Sequence, residues 1–477
     1  MNIPAWGKIA DSVLAHNYCC GCGVCAGVCH SSVLEMRFNE YGEYRPYLTG
    51  KCTNCKLCSK VCPFVDGNAN EDELSEMVFA CDPKIKHSLE TGYYLDAYVG
   101  YVADPQVRWN SASGGMATWF LEKLLAEKTV DYVLCVSPND DPNRLFRYTV
   151  CTSTEDIRKC SSSCYYPVTT QEVLSFVAEN NGRYAIVGLP CVCKAVRLAQ
   201  QQSTQLRDRI KYVIGLVCGQ TKSKSFVEYI CAVAGGDPHK LQKVEFRVKN
   251  MSRPASDYGL RFTCEAGSVL TREATIFWTQ GMNRAWVDRY FTPQACDFCD
   301  DVFAECADIV FMDAWLSEYT KDPMGHSLVL TRKSPVNDFF SYEVENPLQT
   351  FLHRISVDSV IRSQLGVLCS KRGGMRDRIS FKRSNGLPAP LKRWNTTALI
   401  RPLRMWRLNT SLHRVSRKTG VVWADVDKNL DAFLSGMKDL LLNLDKAKRQ
   451  LLFYRLPNAV LRKGGMYKKW AMTNFYS

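Results

Sequence analysis

Residues 19–30 read CCGCGVCAGVCH, and residues 52–63 read CTNCKLCSKVCP. In the first stretch four cysteines follow one another with gaps of two, two and three residues, and the second stretch repeats this spacing. Disulfide frameworks, zinc sites and iron–sulfur clusters all use clustered thiols. The spacing, the cellular compartment and the rest of the chain have to decide between them.

The repeated spacing is that of ferredoxins that carry two iron–sulfur cubes. Three thiolates wrap around one cube, and the fourth cysteine, one helical turn further on, points away and ligates the other cube. The spacing therefore predicts one [4Fe-4S] cluster on Cys19, Cys22, Cys25 and Cys62, and another on Cys52, Cys55, Cys58 and Cys29. Cys20 is left over. His30 replaces the usual proline after Cys29, but that proline shapes the turn and is not a ligand.

Zinc and disulfides explain the two runs less well. Four thiolates satisfy a zinc ion, which has no use for a run of this length. The chain has 23 cysteines, but the start MNIPAWGKIADSV lacks the layout of a secretion signal. No window reaches the ~18 uninterrupted apolar residues that a membrane span needs. The expected location is the reducing cytoplasm, where clustered thiols bind metal more often than they pair.

The 477 residues, of which 46% are apolar, predict several globular units. Residues 1–66 are expected to form the ferredoxin-type domain, and the polar residues 67–94 a linker. Residues 95–370 alternate strand-like and helix-like runs, which is typical of an α/β fold. The strand-like runs are 97–102, 132–136, 184–189, 212–218, 308–315 and 327–332. Residues 243–250 and 258–275 predict an inserted antiparallel hairpin region with a turn at 266–268.

Four motifs follow the two cysteine runs in order: RWNSASGGMATWFLEKLL (108–125), AIVGLPCVCKAV (185–196), VIGLVCG (213–219) and YFTPQACDFCDDVFAECADIVFMDAW (290–315). Together they resemble the family of coenzyme F420 hydrogenase/dehydrogenase beta subunits, over about residues 15 to 335. The resemblance implies an α/β domain that binds FAD and passes electrons between iron–sulfur centres and a second redox partner. In archaeal members that partner is a deazaflavin, and in the plant relative it is a chlorophyll derivative. Bacterial members with a ferredoxin front end are often associated with polysaccharide biosynthesis.

The family motifs contain the residues predicted to bind the flavin. Small side chains and free N–H groups at a helix start suit a phosphate or a flavin edge, although an ordinary helix cap explains them equally well. Strand ends in an α/β sheet are where ligands bind. Asp313 and Trp315 are either pocket-lining residues or a turn cap and a packing side chain. The predicted cofactor-binding residues are Ser111, Ser113, Gly114, Gly115, Gly188, Pro190 and Asp313.

The family resemblance also implies a third cluster close to the flavin, ligated by Cys191, Cys218, Cys296 and Cys299. The alternative is that these thiols are small core or structural residues, and Cys193 and Cys306 are near enough to substitute for members of the set. The remaining cysteines are expected to be buried or incidental, among them Cys81, Cys135, Cys151, Cys231, Cys264 and Cys369. Cys164 stands where relatives carry a basic residue, so the deazaflavin preference is not carried over. His326 is either a proton donor or a polar surface group.

The C-terminal part, residues 371–477, carries 24 Lys and Arg against 6 Asp and Glu, within a net charge of +13. A helical extension that packs on the body is the simplest explanation. A basic tail also suits anionic lipid, an acidic ferredoxin-like donor or acidic sugar intermediates in glycan assembly. Its aromatic residues, Trp394, Trp406, Trp423, Tyr454, Tyr467 and Trp470, would suit nucleic acid, but no nucleic-acid fold is apparent and none is expected as a partner.

The sequence therefore predicts an iron–sulfur flavoprotein oxidoreductase. Electrons from a reduced ferredoxin-like carrier would pass through the [4Fe-4S] clusters to FAD and on to an organic substrate, which the sequence does not name. No catalytic residue is assigned. Two alternatives stay open: the beta subunit of a coenzyme F420-dependent hydrogenase or dehydrogenase, and a non-catalytic electron-transfer subunit of a larger complex. A homo-oligomer is compatible with each of them.

Overall fold

The computed structural model describes residues 5–266, 270–393 and 403–461. Within these ranges the strands are β1 Leu34–Phe38, β2 Tyr44–Leu48, β3 Lys86–Ser88, β4 Gly92–Tyr94, β5 Ala97–Val102, β6 Tyr132–Pro138, β7 Phe146–Cys151, β8 Tyr184–Gly188, β9 Ile210–Leu216, β10 Leu241–Val248, β11 Gly259–Ala266, β12 Leu270–Phe277, β13 Ile309–Asp313, β14 Ser327–Thr331 and β15 Thr350–Ile355. The turn predicted at 266–268 reaches beyond the described residues, as do Trp394, Tyr467 and Trp470 and the side chain of Tyr454.

The α-helices surround these strands. They are α1 Ala5–Ile9, α2 Val24–Gly27, α3 Leu57–Lys60, α4 Glu71–Phe79, α5 Pro105–Asn110, α6 Met116–Ala126, α7 Thr154–Lys159, α8 Gln171–Glu179, α9 Pro190–Gln202, α10 Thr204–Arg209, α11 Lys224–Val233, α12 Met282–Val287, α13 Gln294–Asp297, α14 Ser334–Glu345, α15 Val357–Ser363, α16 Leu365–Leu368, α17 Gly374–Ser384, α18 Leu403–Asp425 and α19 Leu430–Leu461. Ala10–Leu14 and Cys369–Gly373 are π-helical turns, and Pro238–Lys240 and Trp278–Gln280 are 3₁₀ turns.

An eight-stranded mixed sheet forms the centre of the fold, which is therefore α/β, as the sequence predicts. Its strand order is β15-β5-β14-β13-β9-β8-β6-β7. The four strands β13, β9, β8 and β6 are parallel, and the remaining pairs are antiparallel. All six predicted strands lie in this sheet. The two that the sequence missed, β7 and β15, are its edge strands, which lack a continuous apolar run because one face contacts solvent.

The direction of the strands brings several chain segments to one edge of the sheet. Strand β5 is antiparallel to β14, which is antiparallel to β13, so β5 and β13 run the same way. The carboxyl ends of β5, β13, β9 and β8 therefore meet at one edge, which we call the carboxyl edge. Ligands bind at such edges in α/β sheets. The segments that follow these four strands contain the predicted flavin-binding residues, together with Cys191 and Cys218.

The predicted hairpin region forms a separate three-stranded antiparallel sheet, in the order β10-β11-β12. Leu260 and Phe262 of β11 are fully buried in a second hydrophobic core, together with Phe226 and Ile230 of α11. This core fixes the position of strand β10, whose last residues extend towards the carboxyl edge.

Residues 67–94, expected as a linker, are structured. Helix α4 begins at a capping box, in which Asn70 Oδ1 accepts a hydrogen bond from Glu73 N at 3.1 Å and Asn70 N donates to Glu73 Oε2 at 2.8 Å. Leu74 is buried, and Glu71 forms a buried ion pair with Lys194 at 3.2 Å. The acidic side chains that suggested a linker have other roles: Glu73 caps the start of α4, and Glu71 forms this ion pair.

Several described residues of the basic C-terminal part pack on the body. Trp423 and Phe433 are buried in the second core, where their rings contact Tyr229. Arg393 is buried between carboxylates, pairing with Glu305 at 2.7 Å and Asp300 at 3.1 Å. This cation, one of those that suggested a lipid or acidic partner, is therefore used inside the fold. No helix of the described ranges is long and apolar enough to cross a membrane.

Candidate functional site

The two ferredoxin-like runs fold into equivalent loops. Gly21 N donates to Cys19 Sγ at 3.4 Å, and Asn54 N donates to Cys52 Sγ at the same distance. Both Gly21 and Asn54 have positive φ, as two tight turns around sulfur require. Each loop then enters a one-turn helix, α2 or α3. Amides directed at sulfur stabilise metal-bound thiolates, so the local geometry suits cluster ligation.

The fourth cysteine of each run lies with the other run. A cavity between the loops is lined by Cys29, Cys52, Cys55 and Cys58. On the opposite side, burial raises the pKa of Cys25, and the neighbouring thiols Cys19 and Cys62 raise it further. Burial also raises the pKa of Cys62 to about 12 and that of Cys58 to about 11. Such thiols hold their protons unless a metal takes their place.

The thiol spacing at these sites does not match a single metal ion. Zinc sits about 2.3 Å from each sulfur, which places its sulfurs about 3.8 Å from one another. In the part of the chain that the structure describes, none of the twelve predicted ligand cysteines belongs to a group of three or more ligand atoms within 4.8 Å of one another. A four-iron cube, which is larger than an ion, fits thiols that surround a wider space.

The third predicted set comes from three separate elements. Cys191 lies in the first turn of α9, Cys218 follows β9, and Cys296 and Cys299 lie in and after α13. Burial raises the pKa of Cys218 to about 12, with Cys296 and Cys299 contributing. Cys191 interacts with Cys20, and the thiol of Cys299 also contributes to its raised pKa. The structure therefore brings these four thiols into one neighbourhood.

Cys20, which the spacing left unassigned, lies between the first run and the third set. Hydrogen bonds with Cys191 and Cys22 hold the pKa of Cys20 well below its usual range. Cys193 and Cys306, the proposed substitutes, are both buried, and Cys193 Sγ donates to the carbonyl oxygen of Gly188 at 3.4 Å.

A lysine lies among the third set of thiols, and sequence reasoning assigned it only to the basic tail. Lys371 Nζ donates to Cys299 Sγ at 3.2 Å and to the carbonyl oxygen of Cys218 at 3.0 Å. Burial alone would lower the pKa of Lys371, but the thiols of Cys299, Cys218 and Cys296 raise it. Lys371 therefore places a buried positive charge beside these sulfurs.

The Ser–Gly segment 111–115 lies tightly on the carboxyl edge. A Cβ on Gly114 would lie 2.5 Å from the carbonyl oxygen of Gly100 and 2.7 Å from the amide of Ser327. Gly115, with φ +82°, precedes α6. Ser113 Oγ donates to the carbonyl of His326 at 2.7 Å, so this hydroxyl is used by the fold. The segment would therefore contact a ligand through its backbone groups rather than through the Ser113 hydroxyl.

Two cations from the hairpin region bind the carbonyls of this segment. Arg247 donates to the carbonyl of Ala112 at 3.0 Å and pairs with Asp313 at 3.2 Å. Lys249 Nζ donates to the carbonyl of Ser113 at 3.0 Å and to that of Arg108. We call Arg108, Arg247 and Lys249 the cationic cluster. Burial, with Arg247 and Arg108 adding repulsion, lowers the pKa of Lys249 to about 7.

Two N–H donors of the cationic cluster are not used in hydrogen bonds within the protein. Arg247 Nη1 and Arg108 Nε are buried and have no hydrogen-bond partner within the protein. Arg247 adopts φ +62°, a strained conformation for a residue with a side chain, and its guanidinium lies 3.9 Å from the ring centre of Tyr258. Unpartnered buried donors suit an anionic ligand such as a phosphate. Arg108 is the first residue of the motif at 108–125, whereas Arg247 and Lys249 lie in KVEFRVKN (243–250), which no motif marks.

The remaining predicted residues have mixed outcomes. Asp313 lies at the carboxyl edge and pairs with Arg247 of the cationic cluster. Gly188 ends β8, and Pro190 is the first residue of α9, so both shape the chain before Cys191. His326 is partly buried, with Nδ1 3.7 Å from Asp322, and burial lowers its pKa. Cys164 is partly buried, its Sγ lies 3.8 Å from the carbonyl oxygen of Tyr166, and burial raises its pKa.

Comparisons with known proteins agree with the motifs. Residues 97–175 match the model of the N-terminal part of the coenzyme F420 hydrogenase/dehydrogenase beta subunit, and residues 181–350 match that of its C terminus. The chain is 25% identical over 219 residues to a subunit of the F(420)H(2) dehydrogenase of Methanosarcina mazei, covering 44% of this chain and 56% of the relative. It is 24% identical over 255 residues to coenzyme F420-dependent sulfite reductase of Methanocaldococcus jannaschii, covering 50% and 36%.

A shorter relative matches with higher identity. An uncharacterized ferredoxin of Methanocaldococcus jannaschii is 42% identical over 53 residues, 11% of this chain and 69% of the ferredoxin. Among solved structures, a chain of the F420-reducing [NiFe] hydrogenase complex from Methanosarcina barkeri superposes with a TM-score of 0.46 at 18% identity, over 65% of this chain and 98% of that one. This chain spans about half or less of the two longer curated relatives. Since the two family models together match more than half of the 477 residues, the chain belongs to the family of coenzyme F420 hydrogenase/dehydrogenase beta subunits.

Proposed function

We propose that this chain is the iron–sulfur electron-transfer subunit of a deazaflavin-linked oxidoreductase. In this proposal, clusters held by the predicted cysteine sets carry single electrons to or from a flavin at the carboxyl edge, which exchanges electron pairs with a deazaflavin. Both longer curated relatives are described by coenzyme F420, which supports a deazaflavin over the unnamed organic substrate that the sequence first suggested. The association with polysaccharide biosynthesis stays a separate prediction, because neither of these relatives is described as acting on a glycan.

The observation that carries the proposal is the meeting of two features at the carboxyl edge. Cys218 follows β9 and Asp313 ends β13, and these strands are parallel neighbours, with Phe311 opposite Leu216. Asp313 pairs with Arg247 of the cationic cluster, while Cys218 lies with Cys296 and Cys299. The third cysteine set therefore adjoins the cationic cluster, whose charge suits an anion, and this supports transfer from a cluster to a phosphate-bearing cofactor.

The thiols also form a continuous series. Cys29 and the second run line one cavity, and Cys25 has Cys19, Cys62 and Cys58 as neighbouring thiols. Cys20 then connects the first run to Cys191 of the third set. We infer that electrons entering at the second run reach the carboxyl edge through the first cluster and the third set in turn.

The chain's own residues would hold the flavin through its phosphates. Bound FAD would supply the change between one-electron and two-electron transfer. Arg247 and Lys249, anchored on the carbonyls of Ala112 and Ser113, present positive charge where a pyrophosphate would lie. The buried donors Arg247 Nη1 and Arg108 Nε have no protein partner and are free to bind phosphate oxygens.

The test is an assay of anaerobically purified, cluster-reconstituted protein. The proposal requires about twelve irons per chain, four for each cube, one bound FAD, and loss of the visible absorption of oxidised deazaflavin when a low-potential donor reduces the protein. A ferredoxin should serve as that donor if the N-terminal clusters are the entry point. Full clusters and flavin with no deazaflavin turnover would overturn the deazaflavin assignment, and protein with full iron that binds no flavin would overturn the flavin site.

A second candidate function is electron transfer without a reaction of its own, in a larger complex. The description of one relative as a subunit, of which this chain spans 56%, favours it. The same assay separates the two: a pure electron-transfer protein reduces artificial acceptors through its clusters but binds neither FAD nor deazaflavin by itself.

A further inference from the structure

Three cysteines outside the predicted ligand sets converge on one face of the sheet. Cys135 Sγ lies 3.5 Å from Cys151 Sγ, and Cys151 Sγ lies 3.6 Å from Cys160 Sγ. All three sulfurs lie within 4.8 Å of one another, and in the described part of the chain no other group of three potential ligands is this compact. The sequence predicted that Cys135 and Cys151 are buried or incidental; both are buried, and the structure places them beside Cys160.

The convergence follows from the strand register and one short helix. In the β6–β7 pair Cys135 faces Thr149 and Val133 faces Cys151, so the two cysteines are diagonal neighbours on one face. Ser153 caps helix α7, its Oγ accepting from Asp156 N at 3.2 Å. The helix lasts six residues and returns Cys160 over the same face.

The distances identify what the three thiols can hold. A disulfide would bring two sulfurs to about 2.05 Å, far closer than the 3.5 Å between Cys135 and Cys151. Three sulfurs about 2.3 Å from a tetrahedral zinc ion lie about 3.8 Å apart, close to the two measured separations. The twelve cysteines of the predicted cubes show no such compact group in the described residues. The compact spacing therefore fits one ion and not a cube.

We propose that Cys135, Cys151 and Cys160 bind a single zinc ion. Cys135 and Cys151 are buried, while Cys160 is partly exposed. This leaves the fourth position of the tetrahedron open towards solvent, for a water molecule or an external thiol. Binding replaces the three thiol protons, which are released to solvent, and involves no change of oxidation state. The inference does not rest on the proposed electron-transfer function.

The ion would stabilise the edge of the sheet near the Ser–Gly segment. Strand β7 is the last strand of the sheet and has a single strand partner. Ser161 Oγ, next to Cys160, donates to the carbonyl of Asn110 at 3.3 Å, and Arg158 pairs with Glu122 at 2.6 Å. A zinc ion therefore ties β6, β7 and the end of α7 together at the point where they support the start of the Ser–Gly segment.

The test measures zinc and iron together in anaerobically purified protein whose clusters are fully loaded. We expect about one zinc per chain, with X-ray absorption showing three protein sulfurs at about 2.3 Å and a fourth ligand that is a lighter atom for bound water or a sulfur for an external thiol. Cys160→Ser, at the most exposed of the three positions, should lose the zinc and keep all of its iron. Cys264→Ala is the matched control, because Cys264 belongs to a buried two-cysteine contact with Cys231 at 3.5 Å. It should retain the zinc.

Three results would overturn the proposal. One is cluster-loaded wild-type protein without zinc in which mass spectrometry finds all three thiols free or Cys135 and Cys151 joined as a disulfide. Another is copper in place of zinc. The third is zinc that stays at one per chain in both Cys160→Ser and Cys151→Ala.

Discussion

Lys371 Nζ donates a hydrogen bond to Cys299 Sγ at 3.2 Å. The two residues lie 72 positions apart, and the lysine is almost fully buried. A positive charge beside sulfur ligands stabilises the more negative, reduced form of a cluster. This contact brings a residue of the basic C-terminal part into the third predicted cysteine set.

Lys371→Met should lower the reduction potential of the cluster on the third cysteine set. Loss of one buried charge at this distance corresponds to a shift on the order of 50–150 mV. A redox titration followed by electron paramagnetic resonance measures it. Lys382→Met is the control, because Lys382 is also buried but contacts the rings of Tyr18 and Phe298 rather than a thiol. Equal potentials in wild type and Lys371→Met would refute the assignment of this set as ligands.

The crossed ligation of the first two clusters predicts a pattern in double variants. Cys25→Ser and Cys62→Ser should remove the same cube, so each single variant and their combination should lose about four irons. Cys25→Ser combined with Cys29→Ser should lose about eight. Iron and sulfide assays on anaerobic protein give the counts. A loss of about eight irons from the first pair would mean that each run holds its own cube.

Anion binding at the cationic cluster should depend on pH through Lys249. Burial lowers the pKa of Lys249 to about 7, so the side chain is charged below that pH and neutral above it. FAD affinity should therefore fall as the pH rises from 6 to 9, by at most tenfold per pH unit for one proton. Titrations followed by flavin fluorescence measure it. Lys249→Met should bind weakly and flatten the profile, and Lys243→Met, at an exposed position of β10, should keep the wild-type profile.

The lowered pKa of Lys249 should also change the stability of the ligand-free protein with pH. Between pH 7 and about 10.4 the unfolded chain keeps the proton that folded Lys249 has lost, so the free energy of unfolding should rise with pH over this window. In Lys249→Met this part of the rise should be absent. Unfolding by denaturant at pH 7 and pH 9 gives the free energy of unfolding of both proteins. If this free energy changed by the same amount between the two pH values in wild type and in Lys249→Met, the lowered pKa of Lys249 would be excluded.

Asp297→Asn should destabilise the segment that carries the third cysteine set. Burial would raise the pKa of Asp297, but Arg289 and His413 hold it below its usual range, with Arg289 Nη2 2.7 Å from the carboxylate. Breaking a buried pair of this kind costs about 3–5 kcal/mol. Thermal unfolding should show a lower Tm, whereas Asp439→Asn, on the exposed side of α19, should be neutral.

The contribution of Asp297 to stability should decrease as the pH falls. Because the pKa of Asp297 is depressed in the folded state, its contribution is present above about pH 4 and is lost as the pH falls further. The stability difference between wild type and Asp297→Asn should therefore shrink in acid. A difference that stays constant down to pH 3 would show that the carboxylate charge is not responsible.

The sequence alone determined the features that depend on local spacing. The gaps in the two cysteine runs specify which thiols share a loop, because a tight turn and one helical turn set the direction of each side chain. The apolar runs of β5, β8, β9, β13 and β14 predict central strands of the sheet, because both faces of these strands are buried.

Only the tertiary structure decided which distant residues meet. Arg247 reaches Ala112 across 135 positions, and Lys371 reaches Cys218 across 153. Cys135, Cys151 and Cys160 become one group through the register of an antiparallel pair and the short helix α7. No spacing rule links residues on different elements, because their separation in space depends on strand order and direction, which the packing of the whole core determines.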